Sequence, residues 1–272
     1  MSNFYGLLGE KLGHSFSPII NSLVLKRIGL SGTYNLFEVK KDNLQQSLNA
    51  LKILECKGLN VTIPYKIEIM KYLDDVSKEA KNIGAVNTIK FSQDRLKGYN
   101  TDYYGFGMTL EKYNIEVKNK HIVILGTGGA SRAVERYVVD NGVGNITYVS
   151  RNPKENFRND FNVISYEELN ELKDVDIIIN CTPCGMYPNV DKSPVKKEIL
   201  NKFNAAVDLI YNPENTLFLK MGKELGLKTV NGMYMLIAQN LASQKIWHDM
   251  DIDIKVVDDV YDEILKSIRS KM

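Results

Sequence analysis

The sequence predicts an α/β protein of two units, each built from alternating strands and helices. Three observations carry this reading. Short apolar runs alternate with helical apolar spacing along nearly the whole chain. The alternation completes one α/β unit and then restarts at Lys120. At the restart an apolar run, His121 to Leu125, ends in Gly126, Gly128 and Gly129, and a helical pattern opens at Ala130. Strand, glycine turn and helix in that order are the pattern of a dinucleotide-binding βαβ unit, with a glycine-rich turn that holds no nucleotide as the alternative.

The first unit reads as a strand at 4–9 and a helix at 17–29, with Ser17 placed to cap it and Pro18 in its first turn. A strand follows at 33–39, a helix at 43–54, and a short strand at 56–63 that Pro64 stops. Residues 66–73 and 77–84 read as helices, 85–91 and 95–100 as a hairpin, and 102–113 as a helix. After Lys120 come strands at 121–126, 145–150, 161–165, 174–180 and 205–211, with helices at 131–142, 166–173 and 196–203. These strands are almost wholly apolar, as expected where helices cover both faces of a parallel sheet. Segments 215–226, 228–231 and 232–250 lead to a terminal amphipathic helix at 256–272. The restart puts a domain boundary near Asp102.

Composition narrows the function. Among 272 residues, 35 basic and 33 acidic side chains give a formal charge of +2, too even a balance to attract nucleic acid in bulk. No apolar run approaches the roughly 20 residues of a membrane span. The N-terminus lacks a basic region followed by a long apolar stretch, and three cysteines suit a reducing compartment, so the expectation is a cytoplasmic protein. Cys181 and Cys184 form a C-x-x-C pair, which admits a redox or metal role, but no second pair or suitably spaced histidine joins them, and no metal is expected. The apolar face of the terminal helix suits the protein's own core or a second copy, which leaves a homodimer open.

The candidate chemistry follows the same order. Ser15 and Ser17 precede a helix whose free N–H groups, with the two hydroxyls, suit a carboxylate; Ser17 as a plain cap is the simpler alternative. Asn60, Thr62 and Lys66 surround a strand end and a proline turn; composition alone favours Lys66 as an exposed helix-start charge, and the polar groups that follow shift the reading towards a site. Asn87 and Thr88 interrupt an apolar strand, and Asn100, Thr101 and Asp102 end another. Such clusters at strand ends are expected to face an open cleft between the units. In the glycine turn, Gly126 permits the tight bend, and Gly128 and Gly129 let a pyrophosphate approach bare N–H groups, while Ser131 replaces the third glycine. The strand at 145–150 ends in Ser150, Arg151 and Asn152 with no acid to hold a ribose 2′-hydroxyl. An arginine there suits a 2′-phosphate, with Lys154 or Arg158 adding charge, so NADP is favoured over NAD; Arg151 as an ordinary solvated surface residue is the alternative.

Together these motifs resemble the shikimate dehydrogenase family, over the length of the chain. They are G-H-S-F-S-P from Gly13, N-V-T-I-P-Y-K from Asn60, G-A-V-N-T from Gly84, G-Y-N-T-D from Gly98, G-T-G-G-A from Gly126, N-C-T-P-C-G-M from Asn180, D-L-I-Y-N-P from Asp208 and N-G-M-Y-M-L-I-A-Q from Asn231. The resemblance implies reversible, NADPH-dependent reduction of 3-dehydroshikimate to shikimate in the route to aromatic amino acids. It implies that Ser15 and Ser17 hold the substrate carboxylate, that Thr62, Asn87, Asp102 and Gln239 bind ring hydroxyls, and that Lys66 and Asp102 are the catalytic pair. Tyr211 would lie near the reacting face and Gly232 near the nicotinamide. Gly126, Thr127, Gly128, Gly129, Ala130, Ser150, Arg151, Asn152, Lys154, Thr182, Met186, Tyr211 and Gly232 would hold the cofactor, with Cys181 and Cys184 in a loop beside it. The implied architecture is a Rossmann-type nucleotide-binding domain, residues 102–232, and a separate α/β substrate domain, residues 1–101 with 233–272. The chain departs from the family in Ile20, where a histidine is usual before Asn21, and in Asn152, where a threonine is often seen. The alternatives are an NAD-linked quinate/shikimate dehydrogenase and a non-catalytic NADP-binding module.

Overall fold

The computed structural model describes residues 3–13, 15–93, 95–153 and 161–269. The chain divides into two compact units, residues 1–105 with 236–272 and residues 106–235.

The first unit is a six-stranded mixed sheet. β1 (Asn3–Gly9) pairs in parallel with β2 (Gly32–Glu38) and with β3 (Gly58–Val61). β3 then pairs antiparallel with β5 (Thr88–Phe91), which forms the expected hairpin with β6 (Leu96–Tyr99). A two-residue strand, β4 (Asp75–Val76), closes the order β2-β1-β3-β5-β6-β4. α1 (Ser17–Arg27), α2 (Leu44–Ile53), α3 (Lys78–Ile83) and the terminal α9 (Lys255–Arg269) complete this unit with the later part of α8 (Met233–His248). Leu8, Leu48, Leu59, Ile69, Val86 and Ile89 form its core. Val257, Val260 and Ile264 on α9 are buried, so the apolar face of the terminal helix is covered by the chain's own residues.

In the second unit the sheet is wholly parallel. β7 (His121–Leu125), β8 (Asn145–Val149), β9 (Asn162–Ile164), β10 (Ile177–Asn180), β11 (Ala205–Asp208) and β12 (Lys228–Val230) run in the order β12-β11-β10-β7-β8-β9. The order reverses between β7 and β10, where doubly wound sheets bind nucleotides. The period of two along a strand explains its apolar composition. Ile122 and Ile124 face a core with Val134 and Val138 of α5 (Gly129–Asp140) and Phe106 of α4 (Asp102–Lys112). Val123 and Leu125 face the other layer, with Ile199 of α6 (Lys197–Leu200) and Phe218 of α7 (Leu217–Glu224). Both faces are therefore dry.

Three expected helices are shorter or tighter. Residues 66–73 form a 3-10 turn at Glu68–Tyr72, residues 166–173 one at Glu168–Glu171, and residues 196–203 only α6. Segments this short barely exceed the nucleation cost of an α-helix. In the second, Leu169 is buried and Leu172 partly so; three apart, they match the 3-10 period.

Candidate active site

In the first unit the candidate groups are tied to one another. The turn after β3 is closed by Tyr65 N–H donating to the Thr62 carbonyl, and Val86 N–H donates to the Lys66 carbonyl at 2.7 Å. That fixes the Lys66 backbone beside the segment that leads through Asn87 into β5. Its ammonium donates to Asp102 Oδ2 at 2.6 Å, and the two side chains are 12% and 2% exposed. Asp102 opens α4, where the helix dipole favours a carboxylate. A charged pair this dry persists because each partner supplies the other's lost hydration.

Asn87, 2% exposed, is oriented by its neighbours. Its Oδ1 accepts from Thr101 N–H at 2.7 Å, Thr101 Oγ1 at 3.1 Å and Thr88 Oγ1 at 3.0 Å. The amide nitrogen is therefore the end that donates to Gln239 Oε1, at 2.9 Å. With its oxygen engaged, Gln239 keeps its NH2 as a donor, suited to substrate hydroxyl oxygens. Behind this pair Asn60 Nδ2 lies 2.9 Å from Ser243 Oγ and 3.0 Å from Thr88 Oγ1, and Tyr34 donates to Asn60 Oδ1 at 2.9 Å. Thr62 is half-buried, with its methyl against Gly9.

The serine pair differs from expectation. Ser17 is not the cap of α1; it is the first helical residue, and the cap position is Phe16, without a side-chain bond. Ser15 Oγ instead accepts the Ser17 N–H at 3.2 Å and donates to Ser17 Oγ at 3.0 Å. The two hydroxyls thus sit together at a helix start, the arrangement that favours an anion. Asn21 braces this turn: its Nδ2 donates to the Ser17 carbonyl at 3.1 Å, and its Oδ1 accepts from Gln244 on α8 at 2.8 Å.

In the second unit the working surface is main chain. Gly126 has φ +94, and a Cβ there would lie 2.8 Å from the Thr182 methyl. Gly128, the cap residue of α5, makes no side-chain cap bond, and a Cβ on it would meet nothing within 4 Å. Packing does not require glycine at 128. The clear space beside unpaired first-turn N–H groups, with Thr127, Gly129 and Ala130 half-buried around it, fits a pyrophosphate. Ser131, fully buried, donates to the Gly128 carbonyl at 2.7 Å and so pins the turn where a third glycine was expected. Past β8, Ser150 Oγ accepts the Asn152 N–H at 3.1 Å, with Arg151 and Asn152 exposed. Lys154 and Arg158 lie outside the described residues, as does His14.

Thr182 is half-buried and Met186 exposed in the loop after β10, and Tyr211 lies half-buried past β11. Gly232 is a close-approach glycine, since a Cβ there would lie 2.1 Å from the Leu209 carbonyl oxygen. Cys181 and Cys184 are free thiols, and burial raises the Cys184 pKa. Sequence reasoning missed the bracing residues Ser243, Asn21, Gln244, Asn180, Asp208 and Thr216. One signal stood in the chain: Asn180 and Asp208 each end an otherwise apolar strand. Both are fully buried, and burial pushes the Asp208 carboxyl up to about 7 against the hydrogen bonds that favour its charge.

A parallel sheet in this order, with a glycine turn opening onto an uncapped helix, defines a dinucleotide-binding α/β protein, and the first unit carries a buried amine–carboxylate pair. Residues 7–89 match the family model for the shikimate dehydrogenase substrate binding domain. The chain is 47% identical over 261 residues to the shikimate dehydrogenase (NADP(+)) of Clostridium beijerinckii, covering 95% of this chain and 96% of that one. It superposes with TM-score 0.95 at 52% identity on a chorismate mutase/shikimate 5-dehydrogenase fusion protein from Clostridium acetobutylicum, covering 99% of each chain. With TM-score 0.83 and 31% identity it matches a shikimate 5-dehydrogenase from Thermus thermophilus in complex with NADP(H) and shikimate, covering 96% and 99%. The chain belongs to the shikimate dehydrogenase family.

Proposed function

We propose that this protein catalyses the reversible, NADPH-dependent reduction of 3-dehydroshikimate to shikimate in the route to aromatic amino acids. The observation that carries the reading is the Lys66 ammonium held 2.6 Å from the buried Asp102 carboxylate. When bound, NADPH supplies the hydride. Negative charge then grows on the substrate carbonyl oxygen, and Lys66 is the group that stabilises it and delivers a proton. Asp102 orients the ammonium and accepts from a neighbouring substrate hydroxyl. Asn87, Gln239 and Thr62 bind the ring hydroxyls, Ser15 and Ser17 the carboxylate, and Tyr211 packs near the reacting face.

Residues 1–101 with 233–272 act as the substrate domain and 102–232 as the nucleotide domain. Gly126 to Ala130 hold the pyrophosphate; Ser150, Arg151, Asn152 and Lys154 hold the 2′-phosphate; Thr182, Met186, Tyr211 and Gly232 line the nicotinamide end. A cytoplasmic enzyme completes the proposal; among the described residues no helix is long and apolar enough to cross a membrane. The NAD-linked quinate enzyme is not favoured. The test is an absorbance assay at the nicotinamide band with shikimate or quinate, each with NADP+ or NAD+. Fastest turnover with shikimate and NADP+ is expected. A preference for NAD+ of about tenfold or more would refute the role of Arg151, and no turnover with any pair would refute the activity.

A further inference from the structure

Asp208 and Asn180 are register partners at the C-terminal ends of neighbouring parallel strands. Asp208 Oδ1 accepts from Asn180 Nδ2 at 3.0 Å and from Ile210 N–H at 3.1 Å, and its Oδ2 accepts from Thr216 Oγ1 at 2.7 Å. With its NH2 turned to Asp208, Asn180 presents Oδ1 to its own loop, where it accepts from Thr182 N–H at 3.0 Å and Thr182 Oγ1 at 2.6 Å. Thr182 Oγ1 in turn accepts the Cys184 N–H at 3.2 Å. The second arm fixes Ile210, next to Tyr211, and the third holds Thr216, the cap of α7.

We infer that Asp208 is a positioning residue for the nicotinamide end of the cofactor site, acting through Asn180 on the Thr182–Met186 loop and through Ile210 on Tyr211. This rests on the proposal that those residues receive the nicotinamide. What the site needs from position 208 is a fixed oxygen acceptor, not a charge. An asparagine there keeps Oδ1 on Asn180 and Ile210 and turns Nδ2 to Thr216, whose hydroxyl oxygen can accept. An alanine leaves the Ile210 N–H without its acceptor and leaves the Asn180 amide only the longer bond to the Cys184 carbonyl at 3.4 Å.

The experiment measures Kd for NADPH, for adenosine 2′,5′-bisphosphate, which lacks the nicotinamide, and for shikimate, in wild type, Asp208→Asn, Asp208→Ala and Asn180→Ala. Asp208→Ala and Asn180→Ala are expected to weaken NADPH by about tenfold or more, while the bisphosphate and shikimate stay within about threefold. Asp208→Asn is expected to hold NADPH within about threefold of wild type. Equal losses for NADPH and the bisphosphate, an unchanged NADPH Kd in Asp208→Ala, or a loss in Asp208→Asn as large as in Asp208→Ala would each overturn the inference. If Asp208→Ala does not fold, Asn180→Ala decides the same arm. Failure of wild type to bind NADPH would instead overturn the functional proposal beneath it.

Discussion

In the first unit the candidate groups are side chains that hold one another: Lys66 by Asp102, Gln239 by Asn87, Asn87 by Thr101 and Thr88. In the second the proposed pyrophosphate cradle is main chain at Gly126 to Ala130, with clear space where a Cβ on Gly128 would stand. The contrast separates two kinds of recognition. A sugar-like ring with several hydroxyls needs donors and acceptors at fixed points, whereas a pyrophosphate needs only N–H groups, a dipole and room. Damage should therefore register on different observables in the two units.

The largest effect is expected at the side-chain site. Asp102→Ala leaves a nearly dry ammonium without its partner. It should lower kcat by about 10² or more and cost about 3–5 kcal/mol of stability, with the NADPH Kd near wild type. Steady-state kinetics, denaturant unfolding and nucleotide titration check the three parts; a normal kcat would break the comparison on its first side. Next comes the backbone site. Gly126→Val forces an L side chain into a left-handed conformation and against Thr182, so the NADPH Kd should rise by about tenfold or more while the shikimate Kd stays put. Gly128→Ala sharpens the point, because its Cβ meets no protein atom. It should leave Tm unchanged and weaken only the nucleotide.

The third effect concerns pH and is read as a slope rather than as a loss. Asp208 titrates at about 7 in the folded protein against an ordinary 3.8. Through that interval the native state keeps a proton that the unfolded chain has released, so the group's contribution to stability falls as pH rises from about 4 to about 7 and is level above. Asp208→Asn cannot titrate there. Urea unfolding at several pH values should show wild type losing ground to Asp208→Asn across this window, and parallel curves would contradict the burial argument.

Legibility in the sequence follows the same division. The glycine turn reads locally because strand, turn and helix are contiguous, and the apolar strands of the second unit announce a sheet covered on both faces. Lys66 and Asp102 stood out as polar groups at strand ends. Their bracing did not, since Asn60 meets Ser243 across 183 positions and no local pattern encodes such a pairing. Ser17 looked like a cap because serine before a helix usually is one; the Ser15 hydroxyl takes its N–H instead. The stretches at 66–73 and 166–173 carry helical spacing but fold as 3-10 turns at Glu68–Tyr72 and Glu168–Glu171, neither with a side-chain bond at its cap residue. The equally long stretch at 77–84 is α-helical, with Ser77 as its cap. Asp208 and Asn180 were visible as polar ends of apolar strands, but their partnership exists only once β10 and β11 are side by side.

The most direct test of the central claim is a single-turnover measurement on Lys66→Ala with both ligands saturating, following the nicotinamide absorbance. The account predicts hydride transfer slower by about 10² or more, with the Kd values for shikimate and NADPH close to wild type. A rate near that of wild type would contradict it.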